Sequence, residues 1–201
     1  MKQAESAVPR PDDVYFFATC VVDQFFPGAG MDAITLLERE GIRVHFPEEQ
    51  TCCGQPAYTS GFPDEARKVA AHQLTLFPND WPVVVPSGSY AGMMKHHYPT
   101  LFAADPVRKA QAEALSARIY ELTDFLVNVL NFQPEDKGSD CTVVLHTSCS
   151  ARREMGVHLT GRKLLGGLGK VTVAQQDHES ECCGFGGTFS VKQPEISGAM
   201  V

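Results

Sequence analysis

TCCGQPAYTSG at residues 51–61 and ECCGFGGTFS at residues 181–190 are the stretches that decide the fold of this chain. Each contains the tripeptide Cys-Cys-Gly, and each follows a lone cysteine at almost the same distance. Cys20 lies 32 positions before the first pair, and Cys149 lies 33 positions before the second. Two such matching spacings indicate an internal repeat of a cysteine-bearing unit.

The same order of elements surrounds both cysteine sets. The predicted elements are a strand over 14–19, a helix ending at Gly41 and a strand over 42–46, then a strand over 142–146, a helix over about 153–166 and a strand over 170–173. A strand–helix–strand unit implies parallel strands. The predicted fold class is therefore α/β, with two pseudo-symmetric, Rossmann-like βαβ modules. Because ligands of parallel sheets bind at the carboxyl ends of strands, the cysteines in the loops that follow the strands predict a binding site.

A polar linker over 133–140 separates the two copies. It divides the chain into a first module, 1–132, and a second module, 133–201. The first module also has a predicted helix that begins at Pro63, a strand over 81–85 and one long closing helix over 106–131. The long helix is predicted from an apolar stripe at helical spacing. The stripe consists of Leu115, Ile119, Leu122, Leu126 and Val129.

Composition and charge exclude several classes of function. The chain has 201 residues, of which 43% are hydrophobic and 20% charged, as is usual for a globular protein. Its net charge of −7, without any basic run, argues against nucleic acid or an anionic membrane as a partner. No stretch approaches the roughly 20 apolar residues that span a bilayer. The apolar run at 14–22 follows two aspartates rather than a positive region, so no export signal is predicted and the expected location is the cytoplasm.

Seven cysteines without an export signal favour metal or redox chemistry over a disulfide framework. Neighbouring Cα atoms lie about 3.8 Å apart, below the usual disulfide range, so a bridge within either cysteine pair would be strained. Structural zinc sites usually separate paired cysteines by a few residues, and adjacent thiolates fit poorly around one ion. A multi-iron cluster is larger and binds thiolates, which makes an iron–sulfur centre the preferred prediction. Zinc and redox-active or inert thiols remain open. The predicted ligands are Cys20, Cys52, Cys53, Cys149, Cys182 and Cys183.

Several other residues carry weaker predictions. Cys141, alone at the start of a strand, is expected to be a buried small hydrophobic residue. The glycine after each cysteine pair is expected to supply either a positive-φ turn or room for the backbone to approach a cluster. His146 and Arg152 flank Cys149 and could either hydrogen-bond cluster sulfurs or cap local structure. No set of residues predicts substrate chemistry of its own, so no catalytic residue is assigned.

These motifs resemble the cysteine-rich CCG domain family, which includes the B subunit of heterodisulfide reductase and the iron–sulfur subunit of glycolate oxidase. The resemblance covers essentially residues 14–201 and rests on specific motifs. They are TCCGQPAxxxG at 51–61, VVPSGS at 84–89, HxSCxxRxxxG at 146–156 and ECCGFGGTFS at 181–190.

The resemblance implies a 4Fe-4S type cluster, cubane or non-cubane, held by the six cysteines. It also implies a non-catalytic electron-transfer subunit of an oxidoreductase complex, with other iron–sulfur or flavin subunits as partners. The motifs are most similar to those of short, stand-alone members that act in lactate utilisation. The implied process is therefore oxidation of L-lactate to pyruvate in a three-protein complex. The alternatives are a non-catalytic assembly or scaffold protein with a structural or lost cluster, and a disulfide-reducing subunit of the heterodisulfide reductase type.

The chain departs from the family pattern in two places. The family usually has a further cysteine at the position of Tyr90. The corresponding position of the second module would lie past Val201, so that module is expected to be truncated. Each half thus offers three cysteine ligands instead of four or five, and an incomplete site of this kind can be labile or empty. The fourth ligand is left open between Tyr90, Ser87, solvent and a side chain of a partner.

Overall fold

The structure, a computed structural model, describes residues 9–200. It confirms the predicted α/β class with parallel strands. Four strands form one parallel sheet in the first half, in the order β2-β1-β3-β4. Their bounds are β1 Asp13–Phe16, β2 Arg43–His45, β3 Val83–Val85 and β4 Ile119–Glu121.

Helices cover both faces of this sheet. They are α1 Cys20–Phe25, α2 Pro27–Arg39, α3 Gln55–Thr59, α4 Pro63–Gln73, α5 Gly88–Gly92, α6 Tyr98–Leu101, α7 Pro106–Ser116 and α8 Leu122–Asp124, with π-helical turns at Met93–His97 and Phe125–Val129. Along β1, Tyr15 packs into the core on one face, and Val14 and Phe16 pack into the core on the other. Alternate side chains of a strand point to opposite faces, so the two cores follow from a sheet that is buried on both sides.

The single helix predicted over 106–131 is wrong. Helix α7 ends at Ser116, the chain enters β4 at Ile119, and a new helical segment begins at Leu122. The backbone N–H of Val83 donates to the carbonyl of Arg118 at 2.8 Å, so pairing with β3 replaces the helical hydrogen bonds there. Four residues of the predicted stripe are buried, but they belong to three different elements. They are Leu115, Ile119, Leu126 and Val129.

The second half repeats the βαβ unit on a smaller scale. Strands β5 Cys141–Val144 and β6 Val171–Ala174 form a two-stranded parallel sheet. The helices are α9 Cys149–Arg153, α10 Val157–Gly166, α11 Thr188–Lys192 and α12 Pro194–Ala199. The prediction that Cys141 is buried is wrong, because this residue is exposed at the start of β5. The division into modules at residue 132 stays a prediction.

Helices α5 and α9 bring the two halves into contact. A Cβ atom built on Gly88 of α5 would lie 2.4 Å from the Cβ of Ala151 in α9, so only glycine fits at this position. In the π-helical turn that follows α5, the His97 imidazole lies 3.2 Å from a carboxylate oxygen of Glu154. The two cysteine-bearing units therefore pack directly on one another.

Across residues 9–200, no helix combines the length and apolar character that crossing a membrane requires.

Candidate functional site

The first cysteine set lies at the carboxyl edge of the four-stranded sheet. Cys20 is the first residue of α1, which follows β1, and the Thr19 hydroxyl caps this helix by accepting from Val22 N at 3.3 Å. Cys52 and Cys53 lie in the loop between β2 and α3. Because β1 and β2 are parallel neighbours, the loops after them meet at one edge.

The three thiols of this set interact with one another. The pKa of Cys52 falls to about 6, chiefly because the Cys53 thiol hydrogen-bonds to it, with smaller contributions from the backbone N–H of Gly54 and from Cys20. The hydrogen bond to Cys52, together with burial, raises the pKa of Cys53 well above its usual value. Burial likewise raises the pKa of Cys20. Hydrogen bonds among the three thiols thus favour ionisation of Cys52 over that of its two neighbours, and the thiolate is the form that binds a soft metal ion.

Tyr90 of α5 forms one wall of this site. Its hydroxyl oxygen lies 3.0 Å from the Cys20 sulfur, and the residue is only 8% exposed. Burial first, and then the hydrogen bond with Cys20, raise the pKa of Tyr90 far above its ordinary value, so the hydroxyl keeps its proton at neutral pH. A second buried phenol, Tyr98, donates to the carbonyl oxygen of Cys53 at 2.9 Å and fixes the backbone of the pair.

Gln50 connects the two segments that carry the first cysteine set. Its side-chain oxygen accepts from the backbone N–H of Ala18 at 2.9 Å, and its amide nitrogen donates to the carbonyl of Phe16 at 3.2 Å. The amide thus ties the loop before Cys52 to the end of β1 and to Ala18, two residues before Cys20. An open cleft of 370 Å³ lies beside the site, lined in part by both of these cysteines.

The second cysteine set has the same local construction. Cys149 is the first residue of α9, and the Ser148 hydroxyl caps the helix by accepting from Ala151 N at 3.3 Å. Burial, followed by hydrogen bonding to the Cys182 thiol, raises the pKa of Cys149, and Cys183 also acts on it. The structure therefore brings Cys149 to the second pair, as the repeat predicted. Unlike Cys53, both cysteines of the second pair are exposed.

The glycine of each tripeptide adopts a left-handed backbone conformation, with φ of +87° at Gly54 and +75° at Gly184. Each also approaches backbone closely. A Cβ built on Gly54 would lie 3.2 Å from the carbonyl oxygen of Ala66, and one on Gly184 would lie 2.4 Å from that of Ser197. The positive φ that the sequence offered as one alternative is therefore confirmed at both glycines, and the room for the backbone to approach a cluster stays a prediction.

Glu179 is a site residue to which the sequence analysis assigned no role. One of its carboxylate oxygens accepts from Arg152 at 3.0 Å and the other from Arg162 at 2.5 Å, and its side chain is only 8% exposed. The hydrogen bond from Arg152, together with Arg162, holds the pKa of Glu179 below its ordinary value. Arg152 therefore pairs with this carboxylate rather than with a cysteine sulfur. The only hint in the sequence was the position of Glu179 three residues before Cys182.

The donor set fits a polynuclear centre better than a single ion. Within the part of the chain that the structure describes, no three His, Cys, Asp or Glu side chains are arranged to hold one metal ion. All seven cysteines are free, and each half gathers three of them. An iron–sulfur cluster takes thiolates on several irons, so neighbouring cysteines can bind different atoms of the cluster. A mononuclear zinc site needs its ligands around one point, which adjacent residues supply poorly.

Comparison with known proteins gives a consistent result. The family model for the cysteine-rich CCG domain matches residues 14–94 and 143–201. Lactate utilization protein A of Exiguobacterium sp. is 44% identical over 191 residues, which cover 94% of this chain and 78% of that protein. Lactate utilization protein A 1 of Bacillus mycoides is 45% identical, over 94% of this chain and 77% of its own length. The corresponding protein of Bacillus subtilis is 43% identical, over 94% and 79%.

Proposed function

The chain belongs to the cysteine-rich CCG domain family, and from that premise we propose that it is an iron–sulfur electron-transfer subunit of a complex that oxidises L-lactate to pyruvate. The observation that carries the proposal is the convergence of three thiols in each half, at the carboxyl ends of parallel strands. The names of the relatives supply the link to lactate.

In the first half, Cys20, Cys52 and Cys53 would hold the cluster, and Cys149, Cys182 and Cys183 would do so in the second. When bound, the cluster supplies one-electron storage and transfer. The protein's own contribution is to place the thiols in both halves and, in the first half, to limit the access of water to Cys53. Cys53 is completely buried, and the hydroxyl of Tyr98 holds its backbone in place.

The proposed partners are other iron–sulfur or flavin subunits of the same complex. The electron that a cluster accepts must pass to another redox centre, and the six cysteines provide only the cluster sites. No side-chain group beside the cysteines is assigned to the oxidation of a hydroxy acid. Substrate chemistry is therefore proposed to take place on a partner subunit.

Metal analysis of anaerobically prepared protein tests this proposal. We expect iron and sulfide in equal amounts, about four of each per occupied site, and a visible absorbance that bleaches with dithionite. The Cys20→Ser and Cys149→Ser variants should each lose the iron of one half. Cys141→Ser is the matched control, because Cys141 is exposed and lies outside both sets, and it should keep all of the iron.

The outcomes separate the candidate functions. Absence of iron and sulfide would leave the scaffold function and contradict the proposal. Zinc in place of iron would also contradict the proposed electron-transfer role. If iron is present, reduction of the cluster by lactate with the partner subunits supports the proposal. Reduction of a disulfide substrate instead would favour the heterodisulfide reductase type of reaction.

A further inference from the structure

We infer that Tyr90 is a positioning residue of the first cysteine site, where its hydroxyl donates a hydrogen bond to the Cys20 sulfur and raises the reduction potential of the centre held there. The inference rests on the proposed function, because it concerns the iron–sulfur centre of that same site. It assigns to Tyr90 the role of a hydrogen-bond donor, not that of a fourth ligand.

The fold brings the phenol and the thiol together. Strand β3 pairs with β1 in parallel, so the helices that follow these strands, α5 and α1, begin at the same edge of the sheet. Cys20 is the first residue of α1 and Tyr90 is the third of α5. Their side-chain heteroatoms lie 3.0 Å apart. At 8% exposure, water competes little for the hydroxyl of Tyr90.

The direction of this hydrogen bond is fixed once the cysteine sulfur binds a metal. A ligating thiolate has no proton to give, so the phenol must be the donor. Hydrogen bonds to cluster sulfurs are one of the factors that set reduction potential, because they stabilise the more negative, reduced state. A buried O–H group pointing at Cys20 therefore favours the reduced cluster.

The second site lacks this interaction within the described residues, where no hydroxyl hydrogen-bonds to Cys149, Cys182 or Cys183. The phenol is thus a feature of the first half alone. Its hydrogen bond raises the reduction potential of the first site and has no counterpart among the described residues of the second.

The test uses the full chain with Cys182→Ser and Cys183→Ser, reconstituted with iron and sulfide. The measured reduction potential then belongs to the cluster of the first site alone. Tyr90→Phe should retain iron and sulfide but shift the reduction potential to a more negative value. Tyr15→Phe is the matched control, because Tyr15 is also a buried residue and its hydroxyl accepts from the Asn79 side-chain amide at 3.0 Å, away from any sulfur. That variant should leave the potential unchanged.

A second substitution keeps the inference testable if Tyr90→Phe folds poorly. Incorporation of 3-fluorotyrosine at position 90 keeps the ring and makes the hydroxyl a stronger donor, so the potential should become less negative. An unchanged potential in both variants would overturn the inference. A phenolate-to-iron charge-transfer band that disappears in Tyr90→Phe would also overturn it, since Tyr90 would then be a ligand. If the parent protein binds no iron and sulfide, the proposed function itself fails; if it does bind them, only the role of Tyr90 is at stake.

Discussion

In the first half, a neutral amide, Gln50, joins the loop of the cysteine pair to the strand that leads to Cys20. In the second half, the corresponding connection is ionic, and Glu179 joins the loop of the second pair to Arg152 on α9 and Arg162 on α10. The two halves place their thiols alike, yet different side-chain chemistry fixes the loops.

The features that the halves share are those that the backbone requires. A hydroxyl residue caps each cysteine-bearing helix, Thr19 in α1 and Ser148 in α9. A glycine with positive φ follows each pair, at Gly54 and Gly184. Helix ends and left-handed turns accept few residue types, whereas a loop can be anchored by any side chain of suitable reach. The two cysteine sites therefore share their helix caps and glycine turns and differ in the side chains that hold their loops in place.

The largest expected effect comes from separating the halves. Gly88→Val places a branched side chain where even a Cβ would lie 2.4 Å from the Cβ of Ala151, and overpacking of this kind costs about 1–3 kcal/mol or more. Urea unfolding should show this loss of stability. Gly166→Ala is the control, because an added Cβ meets nothing within 4 Å there. A fully stable Gly88→Val variant would mean that α5 and α9 do not pack together.

Substitution of Gln50, the neutral amide that holds the first cysteine loop, should have the next largest effect. Gln50→Ala deletes two hydrogen bonds and leaves the backbone N–H of Ala18 without its partner, which should cost about 1–3 kcal/mol. Chemical denaturation measures the change. Gln24→Ala, at an exposed glutamine of the same cleft, should change stability by less than about 0.5 kcal/mol. Equal effects of the two variants would show that Gln50 does not anchor the loop.

The smallest expected effect is that of substituting Glu179. Its dependence on pH distinguishes the ionic contact of Glu179 from the neutral contact of Gln50. The folded-state pKa of Glu179 is lowered, so its stabilising effect is complete above the ordinary value of 4.5 and is lost as the pH falls through the folded value. The melting temperature of Glu179→Gln should therefore lie below that of the parent at neutral pH, and the two should converge as the pH falls below 4.5. We expect a modest difference, because Arg152 and Arg162 remain 21% and 35% exposed.

Gln50→Ala is the control for this pH series, because an amide does not titrate in this range. The difference in melting temperature between Gln50→Ala and the parent should stay constant as the pH falls. Added salt should likewise weaken the contribution of Glu179 and leave that of Gln50 unchanged. A Glu179→Gln difference that is independent of pH would contradict an ionic anchor in the second half.

Much of this architecture could be predicted from the sequence, and the predictions that were wrong have identifiable physical causes. The repeat spacing gave the order of elements in both halves, and the positions after strands placed Cys20 beside the first pair. Strand β4 was missed because its apolar residues continue a helical stripe, although Ile119 and Tyr120 have the β-branched and aromatic side chains that strands favour. The burial of Cys141 was mispredicted because it depends on what covers β5 from outside the local sequence.

By itself, the sequence determined the parallel βαβ repeat, the grouping of the thiols in threes and the need for glycine after each pair, because these follow from local backbone geometry and periodic spacing. Only the tertiary structure decided which side chains anchor those groups. Tyr90 meets Cys20 across 70 positions, and Glu179 meets Arg152 across 27. Contacts of this range depend on how strands pair and helices pack, and those arrangements have no signature within a short stretch of sequence.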